Sequence, residues 1–325
     1  MRDQDIIKAT RDFIRAELHT DANETVFLER ELTQLRSKIM YVEYPALKGR
    51  SMAPLASDIA PSATTYSYKV LDRLGRARIS ADGSGDVPRI DTFAKEVTGK
   101  VRMITASYGW TKNEMREAAR LGVPLSQVKG NSASEACETS VDEMIAFGDL
   151  AESTGQDNVT TTGILNNADI AAQGIIDPAH DSWLSATASD ILTDLNGFAS
   201  VIVTQSNQTY IPDTLVLSPY QYDVIAKTPY SSTIPDTILS VFLKNNPYIK
   251  NVEQWYRCNA QGVGGKDRGI VYQKSPNVLE AVIPQQFEQE PPQAEKLEVV
   301  IYCSERCGGV KVHRPVACRY IDFTR

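Results

Sequence analysis

Apolar residues recur at helical spacing in two short segments near the start of the chain, residues 3–18 and 27–35. The sequence between them, HTDANET, is polar and typical of a turn. A short arm cannot bury such a stripe by itself, so each stripe must dock on another surface, of the same subunit or of a neighbouring one. The second stripe consists of Phe27, Leu28, Leu32 and Leu35.

A strand pattern follows in Thr64–Ile79, which reads TTYSYKVLDRLGRARI. Tyr66, Tyr68 and Val70 alternate there with polar residues, which indicates a strand with one apolar face. A weaker alternation over Val101–Tyr108 predicts the partner strand, and the loop between them contains ISADGSGDVPRID. A long two-stranded excursion with so little apolar sequence at its tip needs a partner surface.

Two helices are predicted next. Thr111 and Glu114 form a capping box in TKNE, which satisfies free amides at a helix start. This helix is expected to end near Leu121, because Gly122 favours a C-terminal cap and Pro124 blocks continuation.

The second, longer helix begins near Leu125 and carries a one-sided apolar stripe. Its stripe consists of Val128, Cys137, Val141, Met144, Ile145 and Gly148.

The second half of the chain predicts a further lobe that mixes helices and strands. An apolar helical face spans residues 191–203. TLVLSPYQYDVIAKT then predicts a buried strand, a cap at Ser218 and Pro219 in the first helical turn. Another helix is expected over Thr237–Lys244. Strands are expected at Gly269–Tyr272, Leu279–Pro284, Leu297–Cys303, Val310–His313 and Val316–Phe323.

Composition narrows the class of protein. The 325 residues suffice for two lobes with real cores, and 42% hydrophobic with 23% charged residues is ordinary for a globular protein. The net charge of -7 argues against a protein that grips nucleic acid by neutralising phosphates. MRDQDIIKAT has no apolar core of signal-peptide length, and no apolar run reaches the roughly 20 residues that span a bilayer. We therefore expect synthesis in a cytoplasm and no membrane association.

The cysteines offer one candidate metal site. Cys303, Cys307, His313 and Cys318 are close enough in sequence to suggest zinc, but no CxxC pair is present. The alternative is a β-hairpin whose turn separates two cysteines. Five cysteines in a chain of this size favour reduced thiols over a disulfide framework. We expect no metal.

Enzyme motifs are incomplete. Gly262–Asp267 (GVGGKD) has Asp267 where a phosphate-binding loop needs Ser or Thr, and Ala260 stands in place of its first glycine. The three histidines are far apart. His180, Asp181 and Ser182 are adjacent in sequence, which is weak evidence for a catalytic triad, because a triad is built from residues that converge in space. The sequence predicts no catalytic residue and no cofactor.

The order of these elements resembles the major capsid proteins of tailed phages with the Hong Kong 97-type fold. The arm segment FLERELTQLRSKIM, the excursion and the long helix come in that family's order, and Asn277–Phe323 matches it with VLEAVIPQQFEQEPPQ and GGVKVHRPVACRYIDF. The resemblance implies an α+β fold of five parts. These are an N-terminal arm (1–58), an extended loop hairpin (59–110), a peripheral domain with a spine helix (111–176), an axial domain (177–290) and C-terminal strands returning to the peripheral domain (291–325).

The resemblance also implies a function in assembly and not in catalysis. The chain would form hexamers and pentamers of an icosahedral head shell that encloses double-stranded DNA without sequence-specific binding. Further partners would be a separate scaffolding protein, a portal and, as an open alternative, cement proteins. The protein would be made in the host cytoplasm and end in the virion.

In the resembled family the arm and the extended loop contact neighbouring subunits. Alternating charges on such a loop also fit a solvated face, and exposed pairs contribute only about 0–1 kcal/mol. The residues expected at subunit contacts are Phe27, Leu28, Leu32, Tyr66, Tyr68, Lys69, Arg73, Arg76, Arg78, Asp82 and Asp86.

Two other functions stay open on the sequence. An encapsulin-like shell has the same fold but encloses protein cargo, for which it needs a cargo-peptide groove. A cytoplasmic α+β enzyme with an unrecognised site would form a small discrete oligomer with a polar pocket.

Overall fold

The computed structural model describes residues 45–77, 89–121, 125–149, 161–174, 182–231 and 236–324. Within these ranges it contains six helices and thirteen strands. Both predicted helical stripes of the arm lie outside the described residues, as do the loop residues Arg78, Asp82 and Asp86. The short helix α1 (Gly49–Met52) is the first described element.

A two-stranded antiparallel ribbon follows, formed by β1 (Thr65–Leu74) and β2 (Asp91–Lys100) in unbroken register. The prediction that the partner of β1 is the segment 101–108 is therefore wrong. That segment belongs to β3 (Arg102–Thr111), which pairs along its whole length with β11 (Glu298–Cys307). Most of β2 is exposed on both faces, so its sequence lacks the alternation that marks a half-buried strand.

The sheet that contains β3 and β11 carries two helices. Strands β9 (Gln285–Gln289) and β10 (Gln293–Glu295) pair with β11 on the side away from β3. Helix α2 (Lys112–Leu121) begins directly after β3. Helix α3 (Leu125–Phe147, 23 residues) then lies against β3 and β11.

The start of α2 shows the predicted capping box. The Thr111 N–H donates to a carboxylate oxygen of Glu114 at 3.0 Å, and the Glu114 N–H donates to the Thr111 hydroxyl at 3.2 Å. Two backbone amides at the helix start thus find acceptors, and the prediction is confirmed.

A five-stranded sheet has the order β4-β13-β7-β5-β6. The pairs β5–β6 and β4–β13 are parallel, whereas β7 is antiparallel to both of its neighbours. The strand ranges are Ala172–Gln173 for β4, Thr214–Leu217 for β5, Asn251–Gln254 for β6, Asp267–Tyr272 for β7 and Cys318–Phe323 for β13.

The three C-terminal strands have different partners. Strand β13 pairs with β7, a strand of the segment assigned to the axial domain, and its residues Cys318 and Tyr320 share a core with Val141 and Ile145 of α3. The return of all three strands to the peripheral domain stays a prediction. Strand β12 (Val310–Val312) pairs with β8 (Leu279–Ala281), and β11 alone of the three lies beside β3. The apolar pattern of β13 predicts a buried strand but does not select its neighbour.

Three helices cover one face of the five-stranded sheet: α4 (Ala188–Gln205), α5 (Pro219–Lys227) and α6 (Ile238–Asn245). Helix α5 begins as predicted, with Ser218 accepting a hydrogen bond from the Gln221 N–H and Pro219 in the first turn. Thr187 and Thr237 cap the other two helices in the same way.

Side chains alternate across the five-stranded sheet into two hydrophobic cores. Leu215 and Val271 join Phe198 and the rest of the core of α4–α6. Val216 and Ile270 point to the opposite side and share a core with Val141 and Ile145 of α3. The sheet is thus the middle layer between α4–α6 and the lobe of the long helix. None of the described helices has the length and apolar character of a membrane span.

Candidate assembly surfaces

The ribbon, defined as β1 and β2, has two chemically different faces. Alternate residues of one strand share a face, and they share it with the residues directly opposite. One face carries Lys69 directly opposite Glu96 and Arg73 directly opposite Thr92, together with Leu71 opposite Ala94. The other face carries the apolar and aromatic residues Tyr66, Tyr68, Val70, Leu74, Phe93 and Val97, with Asp72, Asp91 and Lys95 among them.

The root of the ribbon packs on the rest of its own subunit, which we call the body (described residues 45–64 and 101–324). Tyr66 lies against the small core of Val101 and Val282. Its ring also covers Gly99 on the opposite strand, where an added Cβ would come within 2.2 Å of the ring. Burial raises the pKa of the Tyr66 phenol, because the phenolate would lose its hydration there.

A lysine from the body completes this root. The Lys311 ammonium lies 4.3 Å from the ring centroid of Tyr68 and 5.4 Å from that of Tyr66. His313 meets the Tyr68 ring edge-to-face at 4.6 Å between centroids. Glu280 accepts from His313 Nε2 at 3.2 Å and lies 3.9 Å from the ammonium. A groove of about 640 Å³ adjoins this cluster, between the ribbon and β12.

The distal part of the same ribbon face is open to solvent. Leu74 is 62% exposed and Phe93 is 60% exposed, and Val70 is half-buried beside them. We call Val70, Leu74 and Phe93 the distal apolar face. These exposed apolar side chains on the ribbon make the distal apolar face a candidate for contact with another protein.

A second exposed surface is the outer side of the sheet of β3 and β11. Ile301 and Cys303 face inward and are buried against Ala133 of α3. Met103 and Tyr302 point the other way and remain 55% and 40% exposed. Arg306, directly opposite Met103, donates on this side to the carbonyl oxygens of Pro61 and Ala63. The exposed Met103 and Tyr302 are a second candidate surface for a neighbour.

Buried charges fix the body that carries these surfaces. Asp142 of α3 is 2% exposed and accepts hydrogen bonds from the Gly49 N–H at 2.7 Å and from Arg257 Nε at 2.9 Å. The Trp255 indole N–H and the Tyr256 hydroxyl donate to the same carboxylate at 3.3 and 3.2 Å. One carboxylate thus ties α1 and α3 to the turn that follows β6.

A second charge cluster lies on the other side of α1. Arg50 donates to Glu138 at 2.8 Å and also bonds Glu305 of β11. Burial raises the pKa of the fully buried Glu305 carboxyl, and the Arg50 guanidinium opposes that rise. The ion pairs join α1, α3 and β11 into one unit behind the ribbon.

The sequence of residues 75–323 matches the model of a protein family described as major capsid protein. This chain belongs to the major capsid protein family. The match covers most of the chain, from the residue after the end of β1 to the last residue of β13. The capsid protein is accordingly a structural component of a virion that associates with copies of itself.

Solved structures show the same fold. The capsid of Myoviridae phage XM1 is 18% identical, with a TM-score of 0.79 over 93% of this chain and 100% of that chain. Mycobacterium phage Bobi gives 14% identity and a TM-score of 0.60, over 90% and 96% of the two chains. A virus-like particle from Pyrococcus furiosus gives 15% and 0.51, over 85% and 95%. The α+β Hong Kong 97-type fold is confirmed. No curated protein matches the sequence.

The capsid fold places the predicted contact residues in three settings. Tyr66 and Tyr68 face the body of their own subunit, whereas Lys69, Arg73 and Arg76 are exposed on or beside β1. The remaining predicted contacts lie outside the described residues: Phe27, Leu28, Leu32, Arg78, Asp82 and Asp86.

Sequence reasoning missed Leu74 and Phe93 as contact candidates. The signal was present in β2, where Phe93 and Val97 fall on one face of DTFAKEVTGK. This pattern points to a contact surface only when β2 is known to pair with β1, because the register then places Phe93 and Val97 on the same face as Tyr66.

The cysteines and the glycine loop of the capsid protein have structural surroundings. The five cysteines are free and buried, and burial raises the pKa of Cys307 to about 11 and of Cys318 to about 12. The described residues contain no group of three or more side chains arranged to hold a metal. The Asp267 side chain is buried and accepts from the Ser218 hydroxyl and the Ala260 N–H, both at 2.9 Å. It therefore anchors the loop to the fold.

Proposed function

We propose that this capsid protein assembles as hexamers and pentamers into the icosahedral head shell of a tailed phage, around its double-stranded DNA. The observation that carries the proposal is the distal apolar face, which a single subunit leaves in water on a projecting ribbon. Contacts between a surface of one copy and a different surface of the next generate rings when the rotation closes. Five or six copies related in this way form a capsomer.

The ribbon supplies this contact in the proposed assembly. Its distal apolar face, Val70, Leu74 and Phe93, covers a neighbouring copy, and Lys69 and Arg73 on the opposite face stay near the solvent or a further neighbour. We also propose that the N-terminal arm, through Phe27, Leu28 and Leu32, contacts an adjacent copy.

The two lobes are proposed to serve as the two domains of the shell subunit. The lobe of α3 and β3–β11 is the peripheral domain. The lobe of the five-stranded sheet is the axial domain around the fivefold and sixfold axes. This division explains why the carboxylate of Asp142 ties α3 to the turn after β6, since both lobes must move as one piece during assembly.

The remaining roles follow from the same proposal. DNA is enclosed without sequence-specific binding, which agrees with the net charge of -7. A separate scaffolding protein and a portal are the proposed partners, with cement proteins left as an open alternative, and synthesis takes place in the host cytoplasm. The protein performs no catalysis.

The proposal is tested by negative-stain electron microscopy and light scattering on the purified full chain, with and without co-expression of its genomic neighbours. We expect closed shells or curved sheets of hexamers. The double variant Leu74→Asp/Phe93→Asp is expected to remain unassembled, because two carboxylates would have to be desolvated in the contact.

The control is Thr92→Asp, which places one carboxylate beside position 93 but on the other face of β2 and should assemble as the wild type does. A discrete dimer or tetramer that never assembles under any condition would contradict the capsid proposal. A shell filled with a protein cargo and free of DNA would support an encapsulin-like compartment instead.

A further inference from the structure

The point at which the ribbon leaves the body contains a lysine that the assembly proposal does not use. Lys311 lies on β12, directly opposite Glu280 of β8. Its side chain is 7% exposed, although lysine is rarely buried without a partner. The ammonium faces the rings of Tyr66 and Tyr68 and has the carboxylate of Glu280 at 3.9 Å.

This arrangement is directional. A buried ammonium loses its water, and the negative faces of aromatic rings compensate for that loss only when the charge lies over the ring. Glu280 belongs to the body, whereas both tyrosines belong to the ribbon. A swing of the ribbon would therefore take both ring faces from the ammonium and leave it with Glu280 alone. The lysine favours one direction of the ribbon over the others.

His313 contacts the Tyr68 ring from a second side. His313 directly follows the end of β12, two residues after Lys311. The His313 ring meets the edge of Tyr68 with an interplanar angle of 77°, while its Nε2 is bonded to Glu280. Lys311 of β12 and His313 just after it thus meet Tyr66 and Tyr68, which lie on one face of β1.

Tyr66 is fixed from behind by glycines. An added Cβ at Gly308 of the body would lie 3.2 Å from its ring, and at Gly99 of β2 only 2.2 Å. Past Val70 the ribbon loses this support, and Leu71 is 67% exposed. The direction of the whole ribbon is therefore set at two paired positions of β1 and β2, those of Tyr66 and Tyr68.

We propose that Lys311 is a positioning residue: its ammonium, held between Tyr66, Tyr68 and Glu280, sets the angle at which the ribbon leaves the body and so aims Leu74 and Phe93 at the neighbouring copy. The part that concerns the neighbour rests on the proposed assembly. The part that concerns the angle is a property of the single subunit.

The angle is measured in the unassembled subunit by pulsed electron spin resonance between two spin labels. One label is placed at Thr92→Cys on the ribbon and the other at Ser200→Cys on α4; both positions are exposed, whereas the native cysteines are buried. The wild-type background should give one narrow distance peak. Lys311→Met keeps the apolar stem but removes the charge, and we expect loss of that single peak.

Three further variants separate positioning from packing. Lys311→Arg keeps a cation that stacks on aromatic rings and should restore the narrow peak. Tyr68→Leu removes a ring from the ribbon side and should broaden the distances as Lys311→Met does, so the test survives if one of the two variants fails to fold. Lys250→Met, an exposed lysine of the other lobe, should leave the peak unchanged.

Assembly of the same variants is followed by electron microscopy. Lys311→Met should lose closed shells of uniform diameter and give open sheets or free capsomers, with Lys311→Arg restoring the shells. A narrow wild-type peak in folded Lys311→Met would overturn the proposal, as would uniform shells formed by a subunit with broadened distances. If Lys311→Met does not fold, a narrow wild-type peak in Tyr68→Leu would overturn it. If the wild type itself never forms shells, the assembly proposal fails, while the spin-label distances still decide the role of Lys311.

Discussion

At the scale of single residues, Asp142 shows how a buried charge acquires its role from the fold. Its carboxylate is 2% exposed and collects donors from Gly49, Trp255, Tyr256 and Arg257, which are far from it in sequence. In the sequence it is one acidic residue in the polar part of a helix pattern. Its partners, and not its neighbours along the chain, make it a structural centre.

Replacing this carboxylate should be costly. Asp142→Asn keeps the shape but leaves Arg257, whose side chain is 16% exposed, without its counter-charge. Removing one partner of a buried ion pair costs about 3–5 kcal/mol, so we expect a fall of that size in the free energy of unfolding, measured with urea.

The control for Asp142 is Asp223→Asn. Asp223 and Lys227 form an exposed pair one helical turn apart, with side chains 54% and 74% exposed. Exposed pairs contribute at most about 1 kcal/mol, so this variant should be close to wild type. If the free energy of unfolding fell equally in Asp142→Asn and Asp223→Asn, the buried ion pair would contribute no more to stability than the exposed one.

His313 makes the ribbon root sensitive to pH. Burial lowers the pKa of its imidazole, and Lys311 and Arg314 lower it further, while the hydrogen bond to Glu280 raises it. The folded protein therefore binds this proton more weakly than the unfolded chain, whose histidine pKa is about 6.5. Stability is fully present above about pH 6.5 and is lost as the pH falls through the lower folded-state pKa.

We expect urea unfolding to show a larger fall in stability between about pH 7.5 and 5.5 for the wild type than for His313→Gln, whose amide does not titrate in this range. The difference between the two proteins removes the contribution of the other titrating groups. Parallel pH profiles would mean that the imidazole proton is not coupled to folding.

At the scale of elements, the ribbon depends on its root. An isolated two-stranded ribbon is marginal in water, and most of β2 has no buried face. Tyr66 and Tyr68 connect it to the body, and Gly99 is the position where the opposite strand makes room for the Tyr66 ring. A small side chain at position 99 is therefore a condition for the ribbon to dock.

Gly99→Ala should loosen the ribbon. Its Cβ would lie 2.2 Å from the Tyr66 ring, so the ring must move, and overpacking of this kind costs about 1–3 kcal/mol. We expect faster hydrogen exchange of the β1 and β2 amides with unchanged exchange in the five-stranded sheet. Gly174→Ala is the control, because nothing lies within 4 Å of a Cβ there. Unchanged exchange in β1 and β2 of Gly99→Ala would contradict the docking role of Tyr66.

At the scale of the whole molecule, the exposed surfaces connect stability to assembly. A partner that binds only the folded subunit raises the apparent stability, and that effect depends on concentration. We expect the Tm of the wild-type protein to rise with protein concentration in calorimetry. The Tm of Leu74→Asp/Phe93→Asp should not, and the two proteins should converge at high dilution. A wild-type Tm independent of concentration, in samples shown to be assembled, would argue that the ribbon contact adds no stability.

Much of the fold follows from local sequence. The capping box of Thr111 and Glu114 and the start of α5 at Ser218 and Pro219 rest on contacts between residues a few positions apart. Such contacts form the same way in any tertiary context, so the pattern is sufficient to predict them. The order of these elements along the chain was then enough to indicate the capsid fold.

Only the tertiary structure shows which side chains of the ribbon and of the sheets are buried and which are exposed. The pairing of β1 with β2, the place of β13 beside β7, and the burial of Lys311 against Tyr66 and Tyr68 join segments distant in sequence. A strand pattern states which side chains are buried but not which strand lies beside them, and an exposed ribbon lacks even that signal. The sequence by itself therefore determined most of the elements and indicated the family, whereas long-range pairing determined which residues of the ribbon face the body and which are left exposed.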